Sequence, residues 1–142
     1  LVERYDLATN AWEEAAPMVV ERFAHAVAVL DGKLYAVGGF NDDGILSSVE
    51  RYDSPATNAW EAVAPMAEAR CDHAVAVLEG KLYAVGGRND DDGTLFSLER
   101  YDPAMNAWEA VAPLAAARDS LATAVLYGDG AEPSRRGRAR RQ

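Results

Sequence analysis

The sequence predicts an all-β fold that repeats a four-stranded unit. Three observations support this prediction: an internal repeat with a spacing of 48 residues, two-residue hairpin signals, and short apolar strands that end in two adjacent glycines. A chain of 142 residues is long enough for one domain with a sizeable core and too short for two ordinary ones. We therefore expect one domain, or part of one.

The repeat is defined by residues that recur at corresponding positions. The string KLYAVGG occurs at 33–39 and again at 81–87, and the related strings VERYD, VERYD and LERYD occur at 2–6, 49–53 and 98–102. The following sets are each spaced by 48 residues: Trp12, Trp60 and Trp108; Pro17, Pro65 and Pro113; Arg22, Arg70 and Arg118; His25 and His73. The chain therefore contains three copies of one pattern.

The first complete copy predicts four short strands. They span 23–30, 33–37, 47–53 and 59–64, and the first of them, which is rich in small and β-branched residues, is expected to be buried. Asp31-Gly32 is a hairpin signal between the first two strands, as is Glu79-Gly80 in the next copy. The segment 40–44 predicts a loop, and Pro65 closes the fourth strand, where a missing backbone donor costs least at a sheet edge. Four strands with an edge proline describe a blade.

The third copy stops before it is complete. Residues 120–126 match the first strand of the other copies, but Ala131, Ser134 and Arg135 stand where the pattern predicts a tyrosine and two glycines. We therefore expect two late strands in 1–16, two whole blades and one early strand near 119–127. Residues 129–142 lack apolar periodicity and predict a disordered basic tail, for which a nuclear-import or nucleic-acid patch is the functional alternative to a solvated appendage.

Charge and composition exclude several classes of function. The net charge is −9, and the segment 131–142 carries five arginines and one glutamate, so residues 1–130 carry −13. An acidic folded part disfavours nucleic acid or an anionic membrane as its main partner. No run approaches the roughly 20 apolar residues of a membrane helix, and no secretory signal is recognisable. The single cysteine, Cys71, cannot form an internal disulfide, which favours a cytoplasmic location, with the nucleus as the alternative.

The order of these motifs, a diglycine strand, then VERYD, a turn and NAW, resembles the kelch repeat. The longer pattern VERYD…NAWE.VAPM…R…HAVAVL.GKLYAVGG is similar to the propellers of the BTB-kelch adaptor proteins. The resemblance implies a partial kelch β-propeller, in which four-stranded blades pack face to face around a central channel. It divides the chain into kelch repeats at 1–128 (half blade 1–18, blade 19–66, blade 67–114 and partial blade 115–128) and the tail at 129–142.

The resemblance also implies that this chain has too few blades to complete a propeller. Propellers of this family close with about five to seven blades, whereas this chain has material for about three. We expect either a fragment of a longer protein or a protomer that completes its ring with another chain. The recurring tryptophans and tyrosines are expected to pack between blades, and the diglycines to permit positive φ where a strand bends into its loop.

Strand parity predicts one charged face. In a four-stranded antiparallel blade, the connection from the second strand to the third and the connection to the next blade emerge at the same end. By resemblance, BTB-kelch propellers hold a peptide of the recruited protein at this face, often through arginines. The predicted partner-binding residues are Arg22, Asn41, Asp42, Asp43, Arg70, Arg88, Asn89, Asp90, Asp91, Asp92 and Arg118. Because Arg22, Arg70 and Arg118 recur in every copy, a structural pairing role is the alternative for them.

No metal or cofactor site is predicted. The segment 89–93 superficially imitates a calcium loop, but Arg88 occupies the position of the required first carboxylate. His25 and His73 have no third counterpart, because Leu121 takes its place, and isolated histidines among alanines and valines are more often packed, hydrogen-bonded strand residues. Cys71 is either a reactive thiol or a small residue at the start of a strand.

These features predict a protein-interaction module rather than an enzyme. By resemblance, its role is substrate recognition in an adaptor of a cullin-type ubiquitin ligase. Two alternatives use the same scaffold: an enzyme of the copper-oxidase or sugar-acid isomerase type, and an actin or cytoskeletal scaffold. An enzyme needs clustered ligands or an acid-base constellation, which neither the histidines nor Cys71 supply. The expected partner is a protein or peptide, and self-association that completes the propeller is a further expectation.

Overall fold

The computed structural model describes residues 2–53 and 57–113, and this part of the chain is all-β. Its strands are, in order, β1 (Val2–Asp6), β2 (Ala11–Ala15), β3 (Ala26–Leu30), β4 (Lys33–Val37), β5 (Phe40–Asn41), β6 (Gly44–Ile45), β7 (Val49–Tyr52), β8 (Trp60–Val63), β9 (Ala74–Leu78), β10 (Lys81–Val85), β11 (Arg88–Asn89), β12 (Gly93–Thr94), β13 (Leu98–Asp102) and β14 (Ala107–Val111). The described residues contain no helix that could serve as a membrane span.

Two of the sheets are four-stranded antiparallel blades. The first has the strand order β3-β4-β7-β8, and the second has the order β9-β10-β13-β14. Strands β1 and β2 form a separate antiparallel pair, in which Val2 lies opposite Ala15 and Asp6 opposite Ala11. Two whole blades and an N-terminal half blade confirm the predicted fold class.

The strands are shorter than predicted, and the difference has a local cause. The first strand of the first blade begins at Ala26 rather than at Phe23, because Ala24 has a positive φ of 54° that interrupts the extended backbone. Phe23 instead forms an isolated bridge with β5. The third and fourth strands span only Val49–Tyr52 and Trp60–Val63, whereas 47–53 and 59–64 were predicted.

The segment after each diglycine forms a small hairpin where the sequence predicted a loop. Strand β5 pairs with β6, and β11 pairs with β12. The acidic tips at 41–44 and 89–93 are therefore held by backbone pairing.

The diglycines let the backbone of the entering connection approach the blade closely. A Cβ added at Gly38 would lie 2.5 Å from the carbonyl oxygen of Arg70, and one added at Gly87 would lie 2.6 Å from that of Cys71. Both glycines have positive φ, 64° and 87°. The predicted role of the diglycines in positive φ and close backbone approach is thus confirmed.

The two blades bury a shared core between their facing surfaces. Its buried members are Leu30, Tyr35, Val37, Val49 and Met66 with Leu82, Ala84 and Tyr101 of the second blade. The rings of Tyr35 and Tyr101 pack at a tilt with centroids 5.7 Å apart. Aromatic pairs of this kind contribute roughly 0.5–1.5 kcal/mol beyond the area they bury.

Trp60 attaches the first blade to the end of the preceding half blade. Its Nε1 donates a hydrogen bond to the carbonyl oxygen of Ala16 at 2.8 Å, while the Oδ1 of Asn58 accepts one from the backbone N–H of Ala16 at 3.1 Å. The hydroxyl of Tyr52 donates to the same Asn58 oxygen at 2.6 Å. We call this arrangement of an asparagine and a tryptophan around one backbone residue a backbone clamp.

The second blade repeats the backbone clamp. Trp108 Nε1 donates to the carbonyl oxygen of Ala64 at 2.8 Å, and Asn106 Oδ1 accepts from the Ala64 N–H at 3.0 Å. Tyr101 donates to Asn106 at 2.7 Å, and its ring packs against Trp108 with centroids 5.3 Å apart.

The predicted packing between successive sheets is confirmed for Trp60, Trp108 and their neighbouring tyrosines, with hydrogen bonds that the sequence did not reveal. It is wrong for Trp12 and Tyr5, which are 66% and 40% exposed.

The first strand of the first blade is not buried on both faces, contrary to the prediction. Val27 and Val29 are 52% and 62% exposed, whereas the corresponding Val75 and Val77 of the second blade pack against the shared core. The difference arises because β1 and β2 supply only the outer half of a neighbouring sheet in the described chain. A groove of about 620 Å³ lies where β1 faces β3 and β4.

Three predictions lie outside the described residues. They concern the turn that includes 54–56, the early strand near 119–127 and the basic tail at 129–142.

Replacing Gly87 by alanine is expected to destabilise the protein by about 3 kcal/mol. The new Cβ would meet the carbonyl oxygen of Cys71 at 2.6 Å, and a φ of 87° is unfavourable for any residue that carries a Cβ. Urea unfolding followed by circular dichroism measures the change.

Gly80→Ala is the matched control. Gly80 has a similar positive φ of 78°, but nothing lies within 4 Å of an added Cβ. Only the conformational cost of about 1 kcal/mol is expected there. Equal losses of stability for the two variants would contradict the close approach at Gly87.

Candidate partner-binding rim

One end of the two blades gathers the connections that enter each blade and the small hairpins that follow the diglycines. Phe23 and Phe40 exchange two backbone hydrogen bonds of 2.9 Å, and Cys71 and Arg88 exchange two of 3.1 Å. These bonds join each entering connection to the hairpin of its own blade. The two kinds of loop that strand parity placed on one face therefore do meet there.

Asn41 and Asn89 hold the hairpin tips against the entering connections. Asn41 Nδ2 donates to the carbonyl oxygen of Glu21 at 2.9 Å, and its Oδ1 accepts from the backbone N–H of Asp43 at 2.8 Å. Asn89 makes the equivalent pair of bonds in the second blade, also at 2.9 and 2.8 Å. Both predicted site residues therefore have their amide groups engaged within the protein.

The exposed charges at the tips are all carboxylates. Five aspartates lie on the two hairpins with exposed side chains, and we call them the acidic rim: Asp42, Asp43, Asp90, Asp91 and Asp92. In the sequence, these aspartates come immediately after Asn41 or Asn89, the asparagines that hold the hairpin tips. Each blade therefore carries a cluster of negative charge on its hairpin.

Arg88 lies beside the acidic rim and is only partly available. Its Nε donates to Asp72 Oδ2 at 3.1 Å, and 43% of its side chain is exposed. An incoming carboxylate would have to compete with Asp72 for the guanidinium group. Because Asp72 partly neutralises Arg88, the exposed charge at the acidic rim is mainly negative.

Arg22 and Arg70 do not lie in the rim. Both side chains are completely buried, and each donates to two backbone carbonyl oxygens at 2.9 to 3.0 Å. A buried guanidinium with these partners is unavailable to a ligand, so the structural alternative that the sequence left open holds for both arginines. Arg118 lies outside the described residues.

The partners that allow this burial are Glu50 and Glu99, which sequence reasoning missed. Arg22 Nη2 and Glu50 Oε2 are 2.9 Å apart, as are Arg70 Nη2 and Glu99 Oε2. Each carboxylate also accepts two backbone N–H groups of the entering connection, from Val19 and Val20 at Glu50 and from Ala67 and Glu68 at Glu99. The available signal was the glutamate that recurs in every VERYD or LERYD string together with the arginine.

His25 and His73 directly precede β3 and β9 rather than lying in these strands, and His73 is buried while His25 is half-buried. The expected hydrogen bonds are absent at Nδ1 of both rings, which is buried without a partner among the described residues. Burial and the nearby Arg70 guanidinium lower the pKa of His73 to about 4. Burial and Arg22 also lower the pKa of His25. In the parts of the chain described, no three histidine, cysteine or acidic side chains are grouped closely enough to hold a metal ion.

Replacing Glu99 by glutamine is expected to lower the free energy of unfolding by about 3–4 kcal/mol. The change leaves the buried guanidinium of Arg70 without its countercharge, and an unpaired buried charge is strongly unfavourable. Chemical denaturation at neutral pH measures the loss.

Glu109→Gln is the control for a surface ion pair. Glu109 contacts Arg100 at 2.5 Å, but 54% of its side chain is exposed, so a loss of at most about 1 kcal/mol is expected. If Glu99→Gln costs no more than Glu109→Gln, the buried pair does not hold the blade together.

The stability of the protein is expected to fall as the pH drops from about 6.5 to about 4. The folded pKa of His73 is about 4 against an ordinary value of 6.5, so the unfolded chain takes up a proton first. The contribution of His73 is fully present above pH 6.5 and is lost across this window, and it amounts to about 3 kcal/mol.

His73→Leu isolates this contribution, because leucine cannot titrate. Unfolding free energies measured across the same pH range should decline less steeply in the variant than in the wild type. Identical slopes would mean that the burial of His73 does not govern the acid sensitivity.

A family model described as the Kelch motif matches residues 21–67 and 69–115, which is more than half of the chain. The chain is 47% identical to Kelch-like protein 4 of Homo sapiens over 53 residues. These residues make up 37% of this chain and 7% of that protein. It is 51% identical over 49 residues to Kelch-like protein 26 of Danio rerio, covering 34% and 8%. It is 44% identical over 50 residues to Kelch-like protein 33 of Homo sapiens, covering 35% and 9%. The matched segments thus span less than a tenth of each of these relatives.

Both matches to the family model coincide with the four-stranded blades, including their diglycine strands and their buried arginines. Kelch repeats indicate a module for protein interaction. The chain therefore belongs to the kelch-repeat family.

Proposed function

We propose that this chain recruits a protein partner at the acidic rim and serves as the substrate-recognition part of an adaptor for a cullin-type ubiquitin ligase. The observation that carries the proposal is the set of five exposed aspartates on two paired hairpins at one end of adjacent blades. The ligase role rests on the resemblance of the repeat pattern to the propellers of the BTB-kelch adaptor proteins.

The support of the hairpins favours binding. Backbone pairing within each hairpin and the asparagine bonds to the entering connections hold the tips before any partner arrives. A loop that is already ordered loses little conformational entropy on binding, so more of the interaction energy appears as affinity.

The charge of the rim indicates the chemistry of the partner. Its exposed side chains are carboxylates, and the nearby Arg88 is paired with Asp72. A peptide segment rich in lysine and arginine is complementary to such a surface, since opposite charges steer association and disfavour acidic competitors. We therefore propose a basic segment as the recruited element, bound in the cytoplasm.

Changing Asp90, Asp91 and Asp92 together to asparagine is expected to weaken capture of partners at least tenfold, because it removes three exposed charges while the backbone N–H of Asp92 still bonds Asn89. The measurement is quantitative affinity capture from cell lysate at two salt concentrations. Capture by the wild type should fall at the higher salt concentration.

Asp31→Asn is the control, since Asp31 is exposed in a hairpin turn at the opposite end of the first blade and asparagine tolerates its φ of 53°. This variant should capture partners as the wild type does. Retention of every partner by the triple variant would exclude the acidic rim as the recruiting surface.

The ligase role has its own test. Expressed alone, a chain that binds substrate without the rest of an adaptor should sequester the captured proteins and lengthen their half-lives. The triple asparagine variant should lack this effect. Unchanged ubiquitination and half-lives of the captured proteins would refute the ligase role and leave partner binding at the rim intact.

A further inference from the structure

A small cavity lies between the two whole blades, at the end opposite the acidic rim. Its volume is about 290 Å³, and its lining combines side chains of the first blade with turn residues of the second: Asp31, Lys33, Tyr35, Arg51, Pro103 and Ala104. Both walls therefore belong to four-stranded sheets that pack on a shared core.

Three hydrogen-bond donors converge on this cavity because of their places in the sheet. Lys33 and Tyr35 lie two residues apart on β4, so their side chains share one face, and Arg51 of β7 lies directly opposite Tyr35. The ring of Tyr35 packs against Tyr101 of the second blade, which identifies this face as the one between the blades.

The hydroxyl of Tyr35 and the guanidinium group of Arg51 retain donors for a ligand. Arg51 Nη1 donates to Tyr35 Oη at 3.4 Å, and Arg51 Nε donates to Glu61 Oε2 at 2.7 Å. Across residues 2–53 and 57–113, neither the hydroxyl proton of Tyr35 nor Arg51 Nη2 has an acceptor. Tyr35 is only 1% exposed, and the hydroxyl of a buried tyrosine usually finds a hydrogen-bond partner. An acceptor in the cavity would satisfy both groups.

Lys33 brings a positive charge to the cavity. The corresponding Lys81 forms an ion pair with Asp102, in which Nζ and Oδ2 are 3.8 Å apart. In the described part of the chain, Lys33 forms no ion pair, either with Asp53, which corresponds to Asp102, or with Asp31 in the adjacent turn. The ammonium group of Lys33 is therefore available at the cavity.

The opposite wall is held in place by the second blade itself. Asp102 Oδ1 accepts the backbone N–H of Ala104 at 3.0 Å, which fixes the turn that carries Pro103 and Ala104. The packing of Tyr35 on Tyr101, with ring centroids 5.7 Å apart, fixes the floor of the cavity. A cavity that is already formed loses little conformational entropy when it binds a ligand.

The charges around the cavity indicate which ligand it takes. Lys33 and Arg51 are positive, while Asp31 in the lining and Glu61 beside Arg51 are negative, so these charges sum to zero. A doubly charged phosphate gains little from such surroundings. A carboxylate has a single negative charge and two acceptor oxygens, which suit a guanidinium edge and a hydroxyl donor. The volume lies at the lower end of the range for ligand pockets, so the bound group is small.

We propose that this cavity binds a carboxylate group, supplied by a small organic acid or by an acidic side chain of a peptide. Arg51 Nη2 and the hydroxyl of Tyr35 donate hydrogen bonds to its oxygens, and the ammonium group of Lys33 contributes the opposite charge. The cavity and the acidic rim lie at opposite ends of the blades, so this site is independent of the proposed recruitment of a basic segment.

An NMR titration of the 142-residue chain, followed at the backbone amide signals of Lys33 and Ala104, tests the proposal. Sodium acetate should shift these signals saturably with a dissociation constant of roughly 1–10 mM, as expected for a ligand of few atoms. Sodium chloride at the same ionic strength should not. The capped peptide acetyl-Ala-Glu-Ala-amide separates the two sources: tighter binding than that of acetate indicates a peptide side chain, and equal or weaker binding indicates a free acid.

Tyr35→Phe and Lys33→Gln should each weaken acetate binding by roughly tenfold, because each removes one donor to a charged group. Tyr83→Phe and Lys81→Gln make the same changes one repeat later and should leave the dissociation constant unchanged. Lys33 is partly exposed, so its variant stays folded even if Tyr35→Phe disturbs the core. The proposal is overturned if the wild type shows no saturable shift with acetate, if phosphate binds more tightly than acetate, or if the Tyr35 and Lys33 variants bind acetate as the wild type does.

Discussion

The rim-bearing end of each blade depends on one buried ion pair. In the second blade, Arg70 and Glu99 meet at 2.9 Å with both side chains almost entirely removed from water. Arg70 also binds the carbonyl oxygen of Gly86, and Glu99 binds the backbone of the connection that enters the blade. Loss of either partner would leave a buried charge, so the diglycine, the connection and the third strand are held as a unit. The exposed hairpin starts where this unit ends, and its position is set by groups that are themselves buried.

Turn chemistry was predictable from the sequence because it acts over two residues. Asp31-Gly32 and Glu79-Gly80 form the expected tight hairpins, with positive φ at both residues of each pair. The roles of Arg22 and Arg70 were not predictable in the same way. Whether a recurring arginine points to solvent or to the interior depends on a carboxylate 28 or 29 residues further along the chain. Local periodicity carries no information about a pairing over that distance.

Whether the side chains of a strand are buried depends more on the neighbouring sheet than on the sequence of the strand. Strands β3 and β9 have the same sequence, AVAVL, yet the valines of β3 are half exposed and those of β9 pack against the shared core. The pattern predicted a strand in both places, and a strand is present in both. What it could not specify is whether another blade covers the outer face, because that depends on chain far from the strand. The small hairpins after the diglycines escaped prediction for a related reason, since two-residue strands are too short to show alternation.

Cys71 is the only cysteine of the chain, and it is completely buried where the second blade begins. The corresponding residue of the first blade, Phe23, is half exposed, so burial at this position is particular to the second blade. A thiol reagent can reach Cys71 only when this blade opens, because local opening is what exposes a buried group to solvent. The rate at which a thiol reagent labels Cys71 therefore measures how fast the second blade opens. Compared with the rate of global unfolding, it would show whether neighbouring repeats come apart one at a time or together.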